Sequence, residues 1–464
     1  MPGIEVRMGL VLSEMFQQFR AKAPMPVMAK LVMERALPPE KVDGWFEENR
    51  ERQYTRDLLF SSVFNVMSLV AVKVFTSTHA AYQADKDAIG VSVTSLYNKI
   101  NAVDAKTSRA LVRETAVELG KTINALKGRR PDLLAGYRTK LLDGNCLEAT
   151  EHRLEVLRRT PAGPLPGKSL VVYDTSLSMA IDVFPCEDGH AQERSLLAEV
   201  LPTVEAGDLW ICDRNFCVRG FLEGIAERGG RFIIRHHKGL EYTVLAPERL
   251  VGSTETGDVY EQPVEIAGTD GRPPSKYRLI RVRLKKATRD GDRELWILTD
   301  LSKSAAPAKK VADLYRHRWD IETTFQKLEK HLNSEVNSLG YPKAALFAFC
   351  VALVAYNVLA VVAATLRRVH GDEVISQKVS GFYIAGEIAR AHEGVMIAIR
   401  ATEWSKLRRL SDAAHRDLLL QIAATVDLSK YKKHVRGPKK PRPPRTQYLN
   451  MPHVSTARLL RDKK

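Results

Sequence analysis

From Ala344 to Leu366 the chain reads AALFAFCVALVAYNVLAVVAATL, with no charged side chain. A run of this length and polarity is either a helix that crosses a bilayer or a helix buried on all sides. Tyr356 and Asn357 in its middle, its many alanines, and its isolation in an otherwise hydrophilic chain favour the buried helix. No membrane partner is therefore expected. Such a helix needs neighbours on every side, and the 464 residues are enough to supply them, in two to four domains.

Lys and Arg number 71 against 55 acidic residues, a formal charge of +16. An excess of that size suits a polyanion, nucleic acid first among them, although a merely basic soluble protein has the same count. Cys146, Cys186, Cys212, Cys217 and Cys350 form no C-x-x-C pair or Cys/His quartet. Neither a disulfide framework nor a structural zinc is expected, and reduced thiols in a cytoplasm fit the pattern. The opening MPGIEVRMGLVLSEMF lacks the layout of a signal peptide.

Residues 1–130 read as a helical region. The turn Leu37-Pro38-Pro39-Glu40 opens a helix, and Leu58 to Val74 carries apolar residues at helical spacing. Ala80 to Ile100 resembles a helix-turn-helix that turns at Gly90, with Val93 to Lys99 as the candidate recognition helix, so the region is a candidate for binding DNA ends. Lys127-Gly128-Arg129-Arg130-Pro131 breaks it off.

From 135 to 239 short apolar runs alternate with helical segments, the pattern of an α/β fold with a mixed sheet. Strands are predicted at Arg138–Leu142, Ser169–Tyr173, Met179–Phe184, Asp208–Cys212 and Arg231–Arg235, and helices at Gln192–Leu201 and Phe216–Ala226. Residues 240–292 are rich in Gly and Pro and read as a β-rich insertion. Its strand Tyr277–Lys285 sets Ile280, Val282 and Leu284 opposite Arg281, Arg283 and Lys285, a basic face suited to a phosphate backbone or simply to solvent. Residues 293–370 return to the core with a strand at Glu294–Thr299, one long helix from Ala308 to Leu332, and the apolar helix. Residues 371–464 are read as helices and a basic tail, extended and mobile from Lys430 to Arg445.

Three acids stand where an acid suits a metal better than a core. Asp143 is read as ending a strand in LLDGN, Asp213 ends the strand GDLWICDRN, and Glu322 lies in the helix RWDIETTF. Hard ions such as Mg²⁺ or Mn²⁺ prefer carboxylate oxygens, and three carboxylates in one cleft can hold two ions about 3.5–4 Å apart for in-line phosphoryl displacement. On a helix Tyr315, Arg318 and Glu322 share a stripe, so a hydroxyl and a guanidinium could grip phosphates beside a metal ligand, or Arg318 and Glu322 could form an ordinary pair.

Tyr315, Arg318 and Glu322 inside YRHRWDIETTF resemble the Y-R-E-K signature of one branch of the DDE transposases of bacterial insertion sequences. LLDGN around Asp143 and ICDRNF around Asp213 resemble the segments that carry that family's first two acids. LWILTDL at 295–301 and the apolar helix with its Tyr-Asn pair also look like their counterparts. The resemblance implies an RNase H-like catalytic core and a homodimeric synapse. It implies as substrates double-stranded DNA with terminal inverted repeats and a target DNA, cut and joined, with second-strand cleavage often through a hairpin. It implies a prokaryotic cytoplasm, at the nucleoid, as the place of action. By position Trp296 is the nearest match to the tryptophan with which such relatives hold an extruded base. The sequence departs from the signature at Glu329, where a lysine is usual, and Lys330 is the nearest substitute; Asn215 replaces a glycine. A nuclease that cleaves without joining, and a domesticated relative that only binds DNA, are the alternatives. Three intact acids speak against the second.

Overall fold

The computed structural model describes residues 12–53, 57–148, 150–288, 291–434 and 452–463. Its centre is a sheet of ten strands. These are β1 (Arg138–Leu147), β2 (Gly167–Asp174), β3 (Met179–Cys186), β4 (Asp208–Cys212), β5 (Arg231–Arg235), β6 (Thr243–Val244), β7 (Arg249–Ser253), β8 (Gly257–Ile266), β9 (Ser275–Leu284) and β10 (Glu294–Thr299). The order across the sheet is β3-β2-β1-β4-β5-β10-β9-β8-β6, with β7 on β8. β1 to β3 form an antiparallel meander, and β4 and β5 then add parallel to β1. Three antiparallel strands continued by two parallel ones make the RNase H-like mixed sheet that was expected. β7 to β9 hydrogen-bond onto β10 and widen this same sheet instead of forming a separate one.

Alternation along the strands divides the core into two. On β1, Leu141 faces one side and Leu142 the other. The Leu142 side holds Trp210, Phe216, Phe221 and Phe232 and is covered by α2 (Arg219–Glu227) and the segment 193–203. That segment is two 3₁₀ turns flanking a single α-turn, not the predicted continuous helix, and Pro202 sits in the second 3₁₀ turn. The Leu141 side is covered by α1 (Ala105–Ala125), α3 (Ala308–Arg316), α4 (Arg318–His331) and α5 (Pro342–His370).

α5 contains the apolar run and is buried along most of its length. It packs on α1, on β2 and β3, on the N-terminal helices Pro24–Ala36 and Phe60–Ala71, and on Asp412–Ala424. Its one buried amide explains a polar residue in such company. Asn357 Oδ1 accepts the Ala180 N–H at 2.9 Å and Nδ2 donates to the Ala180 carbonyl at 2.7 Å. Ala180 lies on the edge strand β3, beside a register shift opposite Val172 and Tyr173, where no further strand pairs its backbone.

The N-terminal region is helical as read. Pro39 stands at the first position of Pro39–Asn49, and Gly90, at φ 68°, makes the left-handed turn before Val93–Asn101. Leu96 and Ile100 anchor that helix, leaving Thr94, Ser95 and Asn98 exposed. Of the basic tail, residues 435–445 lie outside the described residues.

Truncating Asn357 leaves a buried N–H and a buried carbonyl without partners. Asn357→Ala should lower stability by about 2–4 kcal/mol, read as a fall in the urea midpoint. An unchanged midpoint would show that water or a shifted strand replaces the amide.

Candidate active site

Leu142 and Cys212 are the last residues paired between the parallel strands β1 and β4. Asp143 and Asp213 are each the next residue, on strands that lie about 4.8 Å apart. β4 ends there, whereas β1 runs on beside β2 to Leu147. Asp143 is therefore inside a strand, not at its end as the sequence suggested. What ends at Asp143 is its parallel partner, and that opens the space beside it. A side chain at Gly144 would meet the carboxylate end of the Glu193 side chain, which would have to swing aside. Asn215 holds the same loop, donating to Glu193 at 3.2 Å and accepting from Arg194 at 2.9 Å.

The third acid arrives on α4, which crosses β1 and buries Ile321, Phe325 and Leu328 against the core. The predicted single helix from Ala308 to Leu332 is interrupted at His317. There the His317 N–H bonds to Leu314 and the Asp320 N–H to His317, both with three-residue spacing. The break lets the two helices aim differently. From α3, the buried Tyr315 hydroxyl donates to Asp213 Oδ1 at 3.4 Å. From α4, Arg318 Nη1 lies 2.6 Å from Glu322 Oε1 and 3.6 Å from Asp143 Oδ2. The stripe expected to face a DNA strand thus turns inward onto the acids.

Burial drives the Asp143 carboxyl up to about 7, helped by Glu322 and Asp213 and opposed by Arg318 and the Gly144 N–H. Burial works against the Arg318 charge too, yet Tyr315, Glu322, Asp143 and Asp213 together hold its pKa above the ordinary value. Burial, with Asp213 nearby, likewise raises Tyr315. The Arg318 Nε–H is buried without an acceptor. Among the described residues no group of three His, Cys, Asp or Glu side chains closes on one point tightly enough to hold a metal ion. Asp143 and Glu322 face a guanidinium instead, and Asp213 faces the Tyr315 hydroxyl.

Residues 167–358 match the family model of the transposase DDE domain. The likeness is to a domain and covers less than half of the chain. The matched span contains Asp213 and Glu322 and begins at β2, leaving Asp143 outside it. A protein of Sinorhizobium fredii (strain NBRC 101917 / NGR234) named as a transposase, y4zB, is 27% identical over 205 residues, 44% of this chain and 54% of the relative. The chain thus spans about half the length of the curated relative it matches. Among solved structures, a piggyBac transposase synaptic complex with hairpin DNA aligns over 88% of this chain and 86% of that one, at 12% identity and a TM-score of 0.37.

Around this site the other sequence candidates separate. On β10, Leu295 and Ile297 face α3, so alternation turns Trp296 to the opposite side of the sheet, among the Leu142-side core residues. There the Arg281 guanidinium lies 5.5 Å from the Trp296 ring and 4.2 Å from that of Tyr260. Arg281 is also ion-paired with Glu248 and Glu294, so its charge is already balanced. Arg283 is exposed on the same far face. Lys285 lies on the near side and donates to the Thr254 carbonyl at 3.2 Å. It lines a cavity of about 610 Å³ floored by Val282, Leu284 and Ile297. Lys330 lies beyond Glu322 along α4, on the flank away from this cavity. The sequence reading missed Trp319. Its indole is 42% exposed, stands 5.4 Å from the Arg318 guanidinium and walls the same cavity. A tryptophan left in solvent beside an arginine was the available signal.

Because folding raises the Asp143 pKa, the neutral acid is the favoured folded form. This group therefore strengthens the fold as pH falls from about 7 towards its unfolded value near 4, and weakens it above 7. In EDTA at pH 8, Asp143→Asn should raise the melting temperature, and at pH 5 the gain should vanish. Arg318→Ala should cost about 2 kcal/mol at pH 8, most of it recovered in the double variant with Asp143→Asn. Additive effects at pH 8 would mean that Arg318 does not compensate Asp143.

Proposed function

We propose that the chain is a DNA transposase of the Y-R-E-K branch, which binds the ends of its element and cuts and joins DNA strands at Asp143, Asp213 and Glu322. The observation that supports this best is the placing of Asp143 and Asp213 at adjacent strand positions, with Glu322 on a crossing helix sharing Arg318 with Asp143. Their oxygens, and a desolvated Asp143 held by an arginine with one N–H unmatched, suit hard divalent ions, Mg²⁺ or Mn²⁺. Such ions, when bound, supply Lewis-acid activation and neutralise charge on a transferring phosphoryl group.

The chain's own groups do the rest. Asp143, Asp213 and Glu322 would hold the ions. Arg318, released from Asp143 and Glu322, would turn its planar fork to a phosphate. Tyr315 orients Asp213 through its hydroxyl. Trp319, not Trp296, offers its ring to an extruded base over the apolar cavity, in keeping with a hairpin route for the second strand. Lys285 at that cavity and Lys330 on α4 supply phosphate contacts. Thr94, Ser95 and Asn98 on the exposed face of Val93–Asn101 read the element end, with two copies of the chain bridging two ends.

Asp143→Ala, Asp213→Ala or Glu322→Ala should each reduce metal-dependent cleavage of terminal-repeat DNA at least a thousandfold, while gel-shift affinity for that DNA stays within about threefold. A variant that still cleaves removes its residue from the site. Cleaved ends that never join a supercoiled target would identify a nuclease. In the same assay Trp319→Ala should cut hairpin product about tenfold and Trp296→Ala should leave it within twofold; the reverse ranking would return the base-holding role to Trp296.

A further inference from the structure

On the flank of α4 away from the Trp319 cavity lies a groove of about 940 Å³, walled by α4, by α5 and by the start of helix α6 (Gly381–Ala398). Lys327 and Lys330 line one wall and Arg130 and Arg367 the other. Asp372 pairs with the second wall, 3.1 Å from Arg130 and 3.4 Å from Arg367. The Arg367 side chain is 11% exposed, and its Nη2 is buried without an acceptor. The crowding of cations shows in His331, whose proton is disfavoured first by burial and then by Lys327, Lys73 and Lys330, to a pKa of about 4. Along the rim, Phe382 presents a ring 53% exposed, edge-on to His331 at 5.9 Å and to Tyr383 at 5.7 Å.

We propose that this groove binds a single-stranded stretch of DNA, with phosphates on Arg367, Arg130 and Lys327 and an unstacked base on Phe382. Cations alone would accept any polyanion. A flat exposed ring among them selects one whose units carry open π-faces, and a duplex keeps those faces stacked inside. An acidic peptide would use the lysines but gain nothing from the ring. The chain's own tail, with Lys439, Lys440, Arg442 and Arg445, is repelled by such a lining. The inference rests on the reading of the chain as a DNA enzyme, and it adds a strand-holding site separate from the acids.

The test is fluorescence anisotropy of the full chain, without divalent ions, against a labelled 12-mer oligothymidylate, a 12-base-pair duplex of unrelated sequence, and polyglutamate. Phe382→Ala and Phe382→Leu should each weaken oligothymidylate binding about tenfold, the scale of one base–aromatic stack, and change the other two by less than twofold. Lys327→Ala should lower the slope of log affinity against log salt by about 0.7 for the single strand. Unchanged oligothymidylate affinity in both Phe382 variants would overturn the proposal. So would equal losses for the duplex or for polyglutamate. Cleavage assays fail separately: a chain that cuts no element-end DNA yet shows ring-dependent binding loses the transposase reading and keeps the groove.

Discussion

A helix that is apolar on every side has to be wrapped, and α5 is wrapped by helices from both ends of the chain and by one end of the sheet. Burying a single leucine is worth about 2 kcal/mol, and α5 buries eleven large apolar side chains. The sheet, the helix that offers Thr94 and Asn98, and the C-terminal helix Asp412–Ala424 are thereby tied to one rod. The polar groups of α5 fall where it meets the sheet. Asn357 completes the β3 backbone, and the Tyr356 hydroxyl lies 3.5 Å from that of Tyr173 and 3.3 Å from Thr324 of α4. α4 is thus fixed to the rod through a hydroxyl cluster two residues from Glu322, so the position of the third acid is set by the same burial that holds the fold together.

Given that scaffold, the acids meet because of strand register. Parallel pairing of β1 with β4 makes Asp143 and Asp213 neighbours, and no other pairing in the sheet would do so. Bringing a third carboxylate beside a desolvated Asp143 is unfavourable for stability, which is the usual mark of a site kept for chemistry. Arg318 offsets part of the cost from inside the cluster, with an unmatched Nε–H as the sign of imperfect fit. A partner that compensates without fitting can be displaced by a better cation, so the pair of Arg318 and Glu322 reads as a resting arrangement, not as a structural bridge.

Much of this was legible in the sequence because period-two alternation and strand-terminal acids are local signals. β4, β5 and β10 fall on their predicted residues, and the apolar run could be assigned to a core by Tyr356, Asn357, its alanines and its isolation. What stayed hidden depended on partners far along the chain. Asp143 looked like a strand end because its parallel neighbour ends there. The helix break at His317 leaves no Pro or Gly as a marker; it follows from three-residue hydrogen bonds that sequence periodicity does not display. Arg281 read as a free basic face because Glu248 and Glu294, which neutralise it, are brought up by β-pairing and a loop. Trp296 faces away from the acids for the simplest reason: on a strand the neighbour of an inward residue points out.

The net charge gains a different meaning once the pairs are drawn. Arg109, Arg278, Arg281 and Arg408 are each matched by carboxylates within the fold and offer no net charge to a ligand. Other cations gather instead on α4 and across from it, where burial and then the nearby lysines disfavour the proton of His331. One helix thus carries two chemistries. Glu322 faces the sheet with the other acids, and Lys327 and Lys330, about 8 to 12 Å further along the axis, face the opposite flank. A DNA strand leaving the carboxylates along α4 would run from a site that needs metal cations to one where the cations are the protein's own, with no reversal of charge preference on the way. Lys330 stands about 80° and Lys327 about 140° round the helix from Glu322, and that rotation keeps the lysines from neutralising the acids.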